Sequence, residues 1–393
     1  MTSIPRPQPV GVFPFPRSHL LVPPGSDATR AAAMLGDEQA AAAILPAASG
    51  DVSGDSPIDR HNAFVLAPTP EALAAIEAAG DPAFVPLARA AAFAHGLVDD
   101  LPDPVSLDGE LRALVLMTAA AGLFERGEAR AARTLLVEAA GHAEPVAPVF
   151  AAVLHQQVAE TLPTEAADLA IDHLERAEQL AEHAKLPRFH ADIWMRLGTL
   201  HQARAADGTR APLVEAVNCY QKALAAGITQ DSDPASYGQL QNNLGLAYLC
   251  MPTREASDQL RAGIAVQSFR KARDVQDRSA DPDQWASVTM NLASALQYLP
   301  STHPAENLAE AVELYEEVLA TRTEARDPVA HARVLLNQGN ALAHLGIFKS
   351  AIEKLAKALK LFTWHEATDE SATAKDLLDG IHARMDEIRS TTG

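Results

Sequence analysis

The chain has 393 residues, of which 48% are hydrophobic and only 5% are aromatic, so alanine and aliphatic side chains supply most of its interior. It carries 51 acidic and 32 basic side chains, a formal net charge of −19, which disfavours binding to nucleic-acid phosphates and to anionic membrane surfaces. Two cysteines, Cys219 and Cys250, are too few for a disulfide framework or a four-cysteine zinc site. The negative charge agrees with plain solubility and equally with a basic protein partner.

The first 67 residues differ in composition from the rest of the chain. Five prolines fall within the first 16 positions, where a signal peptide would need an unbroken apolar core. The longest uncharged apolar run, Ala113 to Phe124, is too short to span a bilayer, so we expect a cytoplasmic protein. One apolar stretch, Val12 to Pro16, either packs on its own chain as a strap or docks on another protein.

From Thr69 onward the sequence pattern is helical. Thr69 followed by Pro70 predicts a capping residue and a first helical turn, and Asp-Pro pairs recur at Asp233, Asp281 and Asp327. No segment alternates apolar and polar residues over the length of a strand, so no sheet is predicted. The predicted organisation has four parts: an extended or partly disordered Pro/Ala-rich arm over 1–67, a helical hairpin over 68–108, helix-pair repeats over 109–366 and a capping helix over 367–393.

Internal repeats are the strongest signal in the sequence. Four segments share one layout, and the step that begins it recurs at intervals of 47, 48 and 46 residues, at Leu197, Leu244, Leu292 and Gln338. A second helix in each segment places alanine, a larger apolar residue and a small residue at spacings of four and three, which puts all three on one helix face. Such hairpins leave an apolar face uncovered, so they must stack.

These segments resemble the tetratricopeptide repeat (TPR), whose first helix carries an aromatic residue and then Leu-Gly, and whose second helix carries Ala, an aromatic residue and Ala. Trp194, Leu197 and Gly198 match the first helix, and Ala216 and Tyr220 match the second. The resemblance implies an all-α fold, a TPR-like superhelical array of antiparallel helix pairs (an α-solenoid). The period exceeds the usual 34 residues, which predicts longer helices or loops. With a Trp-Ala pair ahead of the Asn-Leu step, at Trp285 and Ala286, the long period resembles a bacterial subgroup.

In such arrays the first helices line a concave groove, and one position there is repeatedly polar. Asn243, Asn291 and Asn337 each precede the Leu-Gly-like step, and Arg196 occupies the same place in the preceding copy. Asparagine offers a donor and an acceptor, which suits the backbone of an extended peptide, and the row resembles the peptide-holding asparagines of kinesin light chains. These side chains either hold a partner segment or bond neighbouring helices to one another.

Three further side chains are candidates for a clamp that would hold a carboxylate or an acidic peptide. They are Arg196, Arg333 and Asn340, and the alternative is that each is an ordinary solvated side chain.

Motifs for catalysis are absent from the sequence, including a phosphate loop, a dinucleotide fingerprint and a nucleophile elbow. The histidines between positions 142 and 201 lack the one-turn spacing that makes a metal site easy to build, so neither metal nor cofactor is predicted. We expect a non-catalytic protein–protein interaction scaffold or adaptor that binds a partner segment in the concave groove. The alternative is an accessory or assembly chaperone for a specific enzyme complex, including a metalloenzyme.

Overall fold

The computed structural model describes residues 57–82, 84–184, 186–205, 209–252 and 259–392. These residues form sixteen α-helices and one 3-10 turn, and they contain no β-strand, which confirms the predicted all-α class. The helices are α1 Pro57–Leu66, α2 Pro70–Ala79, α3 Phe84–Ala94, α4 Gly109–Glu125, α5 Ala129–Ala143, α6 Pro148–Thr161, α7 Ala167–Ala181, α8 Pro187–Arg204, α9 Arg210–Ala225, α10 Pro234–Cys250, α11 Gln259–Asp274, α12 Pro282–Gln297, α13 Pro304–Thr321, α14 Pro328–His344, α15 Phe348–Trp364 and α16 Thr368–Thr392.

The chain divides into two compact units, Met1–Leu197 and Gly198–Gly393, and the boundary falls inside helix α8. In the first unit α4 pairs with α5 and α6 pairs with α7. The apolar run noted in the sequence becomes α4, in which every side chain from Ala113 to Ala120 is buried. No helix in the described ranges is long and apolar enough to cross a bilayer.

The last residues of the predicted arm form helix α1. This helix buries His61, Phe64 and Val65, and the two apolar side chains belong to the core of the first unit. Residues 1–56, which include the apolar stretch Val12 to Pro16, lie outside the described residues.

In the second unit the helices associate as successive antiparallel neighbours, α10 with α11, α12 with α13, and α14 with α15. Each first helix also contacts the first helix of the next pair, so that α10 touches α12 and α12 touches α14. These six helices have 16 to 18 residues each, which accounts for part of the long period. The last helix, α16, packs on α15 through the buried Ile381, with Leu377 and Met385 beside it.

The first helices of these pairs begin as the Asp-Pro pairs predict. The carboxylates of Asp233, Asp281 and Asp327 accept hydrogen bonds from the backbone amide three residues later, at 3.1, 2.9 and 2.8 Å. Proline occupies the first helical turn in each case. An aspartate cap satisfies one otherwise unpaired amide, and its charge is favourable at the positive end of the helix.

Glycine in the first helix lets the second helix approach closely. A β-carbon added to Gly198 would lie 2.5 Å from the ring of Tyr220, and one added to Gly245 would lie 2.7 Å from the ring of Phe269. Gly339 meets a leucine side chain in the same way, at 2.7 Å. The predicted alignment of the Leu-Gly step with the bulky residue of the second helix therefore holds in three pairs.

The tyrosines that fill this position carry matched polar partners on the first helix. The Tyr220 hydroxyl donates to Gln202 at 2.9 Å, and the Tyr315 hydroxyl lies 3.3 Å from the Gln297 carbonyl and 3.0 Å from the Ser294 hydroxyl. Burial raises the pKa of Tyr220 to about 12, so the phenol stays neutral and donates. Each buried hydroxyl is thus paired by polar side chains of the facing first helix.

Candidate protein-binding surface

Amide side chains recur along the first helices of the second unit, where these helices lie side by side. We call this set the amide row, and it comprises Asn242 and Asn243 on α10, Asn291 on α12, Asn337 and Asn340 on α14, and Tyr298, which follows α12 directly. The asparagines are half-buried, and Tyr298 is 64% exposed. The row therefore lies at the surface, with each amide partly shielded from water.

A chain of amide contacts joins α10 to α12. The Asn291 Nδ2 donates to the Asn242 Oδ1 at 2.9 Å, and the Asn242 Nδ2 lies 3.4 Å from the Asn243 Oδ1. The repeat pattern in the sequence marked Asn243, whereas the structure places Asn242 opposite Asn291. The residue in contact differs from the marked one by one position because the two neighbouring asparagines point in different directions around α10.

A second contact joins α12 to α14 at the other end of the row. The Asn340 Nδ2 donates to the Tyr298 hydroxyl at 3.3 Å. Asn337 lies one turn earlier on the same face of α14, and no hydrogen bond to it is found among the described residues. The side-chain carbonyl of Asn291 likewise accepts no hydrogen bond within the described ranges. Because an amide offers two donors and a carbonyl acceptor, the row keeps unused capacity at its surface.

The two candidate arginines already have acidic partners. Arg196, in the first unit, pairs with Glu160 at 3.0 Å, and Arg333, in the second unit, makes two hydrogen bonds to Glu370 at 2.6 and 3.1 Å. Both pairs are exposed, and such pairs contribute little free energy, so a competing carboxylate can replace the partner. Arg333, Asn337 and Asn340 share one face of α14, at spacings of four and three residues.

Sequence reasoning missed Asn242 and Tyr298. Asn242 adjoins the predicted Asn243, and only the orientation of α10 decides which of the two faces α12. Tyr298 follows the last turn of α12, at a position that the repeat pattern does not mark. A search for exposed aromatic residues near the polar positions would have found the tyrosine.

The first unit contains a different polar cluster, in which Arg176, Glu144, His155 and His173 form a line. Arg176 donates to Glu144 at 2.6 Å, Glu144 lies 2.9 Å from the His155 Nε2, and the two histidine Nδ1 atoms are 2.8 Å apart. The hydrogen bond from Arg176 is the main reason that the pKa of Glu144 falls to about 2, so this carboxylate is ionised at neutral pH. Among the described residues, no group of three or more metal-ligating side chains converges.

Comparisons with known proteins give structural likeness without sequence likeness. No protein-family model matches the chain, and no curated protein matches it. Among solved structures, the apo form of RapI is similar over 84% of this chain and 92% of its own, with 11% identity and a TM-score of 0.51. YrrB, described as a TPR protein with an unusual peptide-binding site, is similar over 57% of this chain and 92% of its own, with 19% identity and a TM-score of 0.39. PilF of Pseudomonas aeruginosa is similar over 67% and 96%, with 16% identity and a TM-score of 0.43.

The likeness to RapI supports the fold alone. Together with the aspartate caps and the glycine contacts of the second unit, it identifies the architecture as a tetratricopeptide-type helical repeat.

Proposed function

We propose that the protein is a non-catalytic scaffold or adaptor that acts in the cytoplasm and holds an extended segment of a partner protein along the amide row. The observation that carries this proposal is the pair of junction contacts, Asn291 with Asn242 and Asn340 with Tyr298, which set polar groups side by side across three stacked helices. An extended peptide presents a donor and an acceptor at each residue. Amide side chains placed on successive helices can pair with those regularly spaced backbone donors and acceptors.

The geometry also supports a polar, exchangeable interaction rather than a permanent one. The row is made of half-buried amides and one exposed tyrosine, without a large apolar patch among its members. Tyrosine gives contact area at low entropic cost, and amides give adaptable hydrogen bonds. The net charge of −19 favours a partner segment that carries basic side chains. Its affinity would then fall as the salt concentration rises, because exposed charges are screened.

The proposal is tested by recovering partners from cells that naturally make the protein. Wild type and the double variant N242A/N291A are compared, because this pair removes the junction contact and most of the amides at its centre. The matched control is N218A, which removes an exposed asparagine from the second helix α9. Each lost hydrogen bond contributes about 0.5–1.5 kcal/mol, so we expect the double variant to recover roughly tenfold less of the partner, while N218A recovers a normal amount.

Thermal unfolding separates binding from stability. The Asn242–Asn291 contact itself joins two helices, so a loss of about 1 kcal/mol, or a few degrees in the unfolding midpoint, is expected in the double variant. The proposal is wrong if the midpoint falls sharply while the folded fraction still recovers the partner normally. In that case the row holds the helix pairs together and does nothing more. The triple variant N243A/N291A/N337A repeats the test with all three of the asparagines that the sequence pattern marked.

A further inference from the structure

A second surface feature lies outside the amide row, at the C-terminal end of α15. An open cavity of about 590 Å³ separates the last turns of α15 from the segment that leads into α14. Its walls include Glu324, Pro328, Lys360, Leu361, Trp364 and His365. We call it the tryptophan pocket. None of these residues belongs to the amide row.

The apolar part of the tryptophan pocket centres on an unusually exposed aromatic side chain. Trp364 is 80% exposed, whereas Trp285 in the same unit is only 6% exposed. Pro328 and Leu361, both half-buried, extend the apolar wall beside Trp364. Tryptophan is among the residues that contribute most to binding interfaces, because it buries a large area and loses little side-chain entropy.

The pocket carries charges of both signs, and one of its positive groups has no ion-pair partner among the described residues. Glu324 is held by Lys357 at 2.8 Å, and this hydrogen bond is the main reason that the pKa of Glu324 is lowered, so its charge is matched. Lys360 is exposed, and its ammonium forms no ion pair or hydrogen bond with the described residues, apart from a longer-range attraction to Glu324. The pocket thus offers a positive group beside an apolar wall, on a chain whose net charge is −19.

The backbone directly after the pocket residue His365 has a strained conformation. Glu366 has a φ of 58°, and every other positive φ among the described residues belongs to glycine. The Glu366 and Ala367 amides donate to Thr363 at 3.4 Å and Phe362 at 2.9 Å, which closes the end of α15 just after Trp364. A left-handed residue other than glycine is strained, and such strain is more common at binding sites than elsewhere.

We propose that the tryptophan pocket is a second docking surface that takes an acidic peptide segment of a partner protein. An apolar side chain of that segment packs on Trp364, Leu361 and Pro328, and a neighbouring carboxylate pairs with Lys360. The two recognition groups are thus an aromatic or aliphatic side chain and an acid close to it in sequence. This surface does not depend on the amide row, which is predicted to favour basic segments.

The test uses full-length protein labelled with 5-fluorotryptophan, which carries three reporter positions because the chain has three tryptophans. The probe is a capped peptide in which one phenylalanine is flanked on each side by two aspartates. We expect it to shift the fluorine resonance that the variant W364F removes and to leave the other two resonances in place. Two control peptides replace either the aspartates by lysines or the phenylalanine by serine, and both should bind much more weakly.

Two variants on α15 test whether the charge of Lys360 contributes to binding. K360E should weaken binding of the aspartate peptide on the order of fivefold, because it replaces an attraction by a repulsion. The matched control K349E reverses another exposed lysine on α15 that is outside the pocket, and it should leave the affinity unchanged.

Several results would overturn the proposal. No shift of the Trp364 resonance at millimolar probe concentrations is one, and equal binding of the lysine peptide is another. An equal loss of affinity in K349E and K360E would mean that the probe responds to overall charge and not to the pocket. None of these outcomes bears on the amide row, which is measured with a different variant set.

Discussion

The pairing of tyrosines with polar residues on the facing helix can be tested in the α10–α11 helix pair, whose equivalent position is apolar. Phe269 on α11 is fully buried and packs on Gly245 as Tyr220 packs on Gly198. Where the α8–α9 and α12–α13 pairs place Gln202 and Gln297, the α10–α11 pair has Leu249, half-buried against the core that contains Phe269. F269Y therefore adds a buried hydroxyl that meets no matched acceptor.

An unpaired buried hydroxyl costs about 1–3 kcal/mol, so F269Y should lower the unfolding midpoint by roughly 2–12 °C. Adding L249Q should restore about 0.5–1.5 kcal/mol of that loss, and the double-mutant cycle then gives a favourable coupling. The reverse change, Y315F, leaves Gln297 and Ser294 without their partner and should cost about 0.5–1.5 kcal/mol.

Urea and thermal unfolding, followed by circular dichroism at 222 nm, measure these differences. L249Q alone is the control, because it places an unpaired amide at a half-buried position and should be mildly destabilising. The reasoning fails if F269Y is as stable as the wild type, or if F269Y and L249Q destabilise additively. Either result would mean that the hydroxyl finds another acceptor or reaches water.

Three further predictions concern stability. Burial, followed by the charge of His155, lowers the pKa of His173, and Arg176 lowers the pKa of Glu144 to about 2. The free energy of unfolding should therefore fall below pH 6.5 because of His173, and again below pH 4.5 because of Glu144. In H173Q the first fall should disappear from pH-dependent melting, and its persistence would assign that fall to another group. E366G should raise stability by up to about 1 kcal/mol by relieving the left-handed strain, and a loss on denaturant unfolding would show that no such strain exists. A265W should cost on the order of 1–3 kcal/mol by overpacking a fully buried site, and an unchanged denaturation midpoint would mean that the repeat alignment is wrong.

Much of the second unit could be predicted from the sequence because its signals are local. An Asp-Pro pair caps the helix that it begins, whatever lies beyond, and all three of these caps form as predicted. The glycine of the first helix and the bulky residue of the second are set by a fixed step in each repeat, so Gly245 and Phe269 meet as the alignment requires.

The binding surface could be predicted only in outline. Which of two adjacent asparagines faces the next helix depends on how far α10 is rotated about its axis, and that rotation is set by packing between pairs. The sequence marked Asn243, and the structure brings Asn242 to Asn291 instead. Helix α1 is a similar case, because its apolar residues gain their partners only when the rest of the first unit is present.

The most direct measurement of the scaffold account is site-specific photo-crosslinking in cells that naturally make the protein. A benzophenone amino acid is placed at Asn340, in the amide row, or at Glu313, an exposed position on the second helix α13. We predict a crosslink from position 340 to a defined segment of one partner protein, and none to that segment from position 313. Equal crosslinking from both positions, or none from position 340 while the partner still co-purifies, would contradict the account.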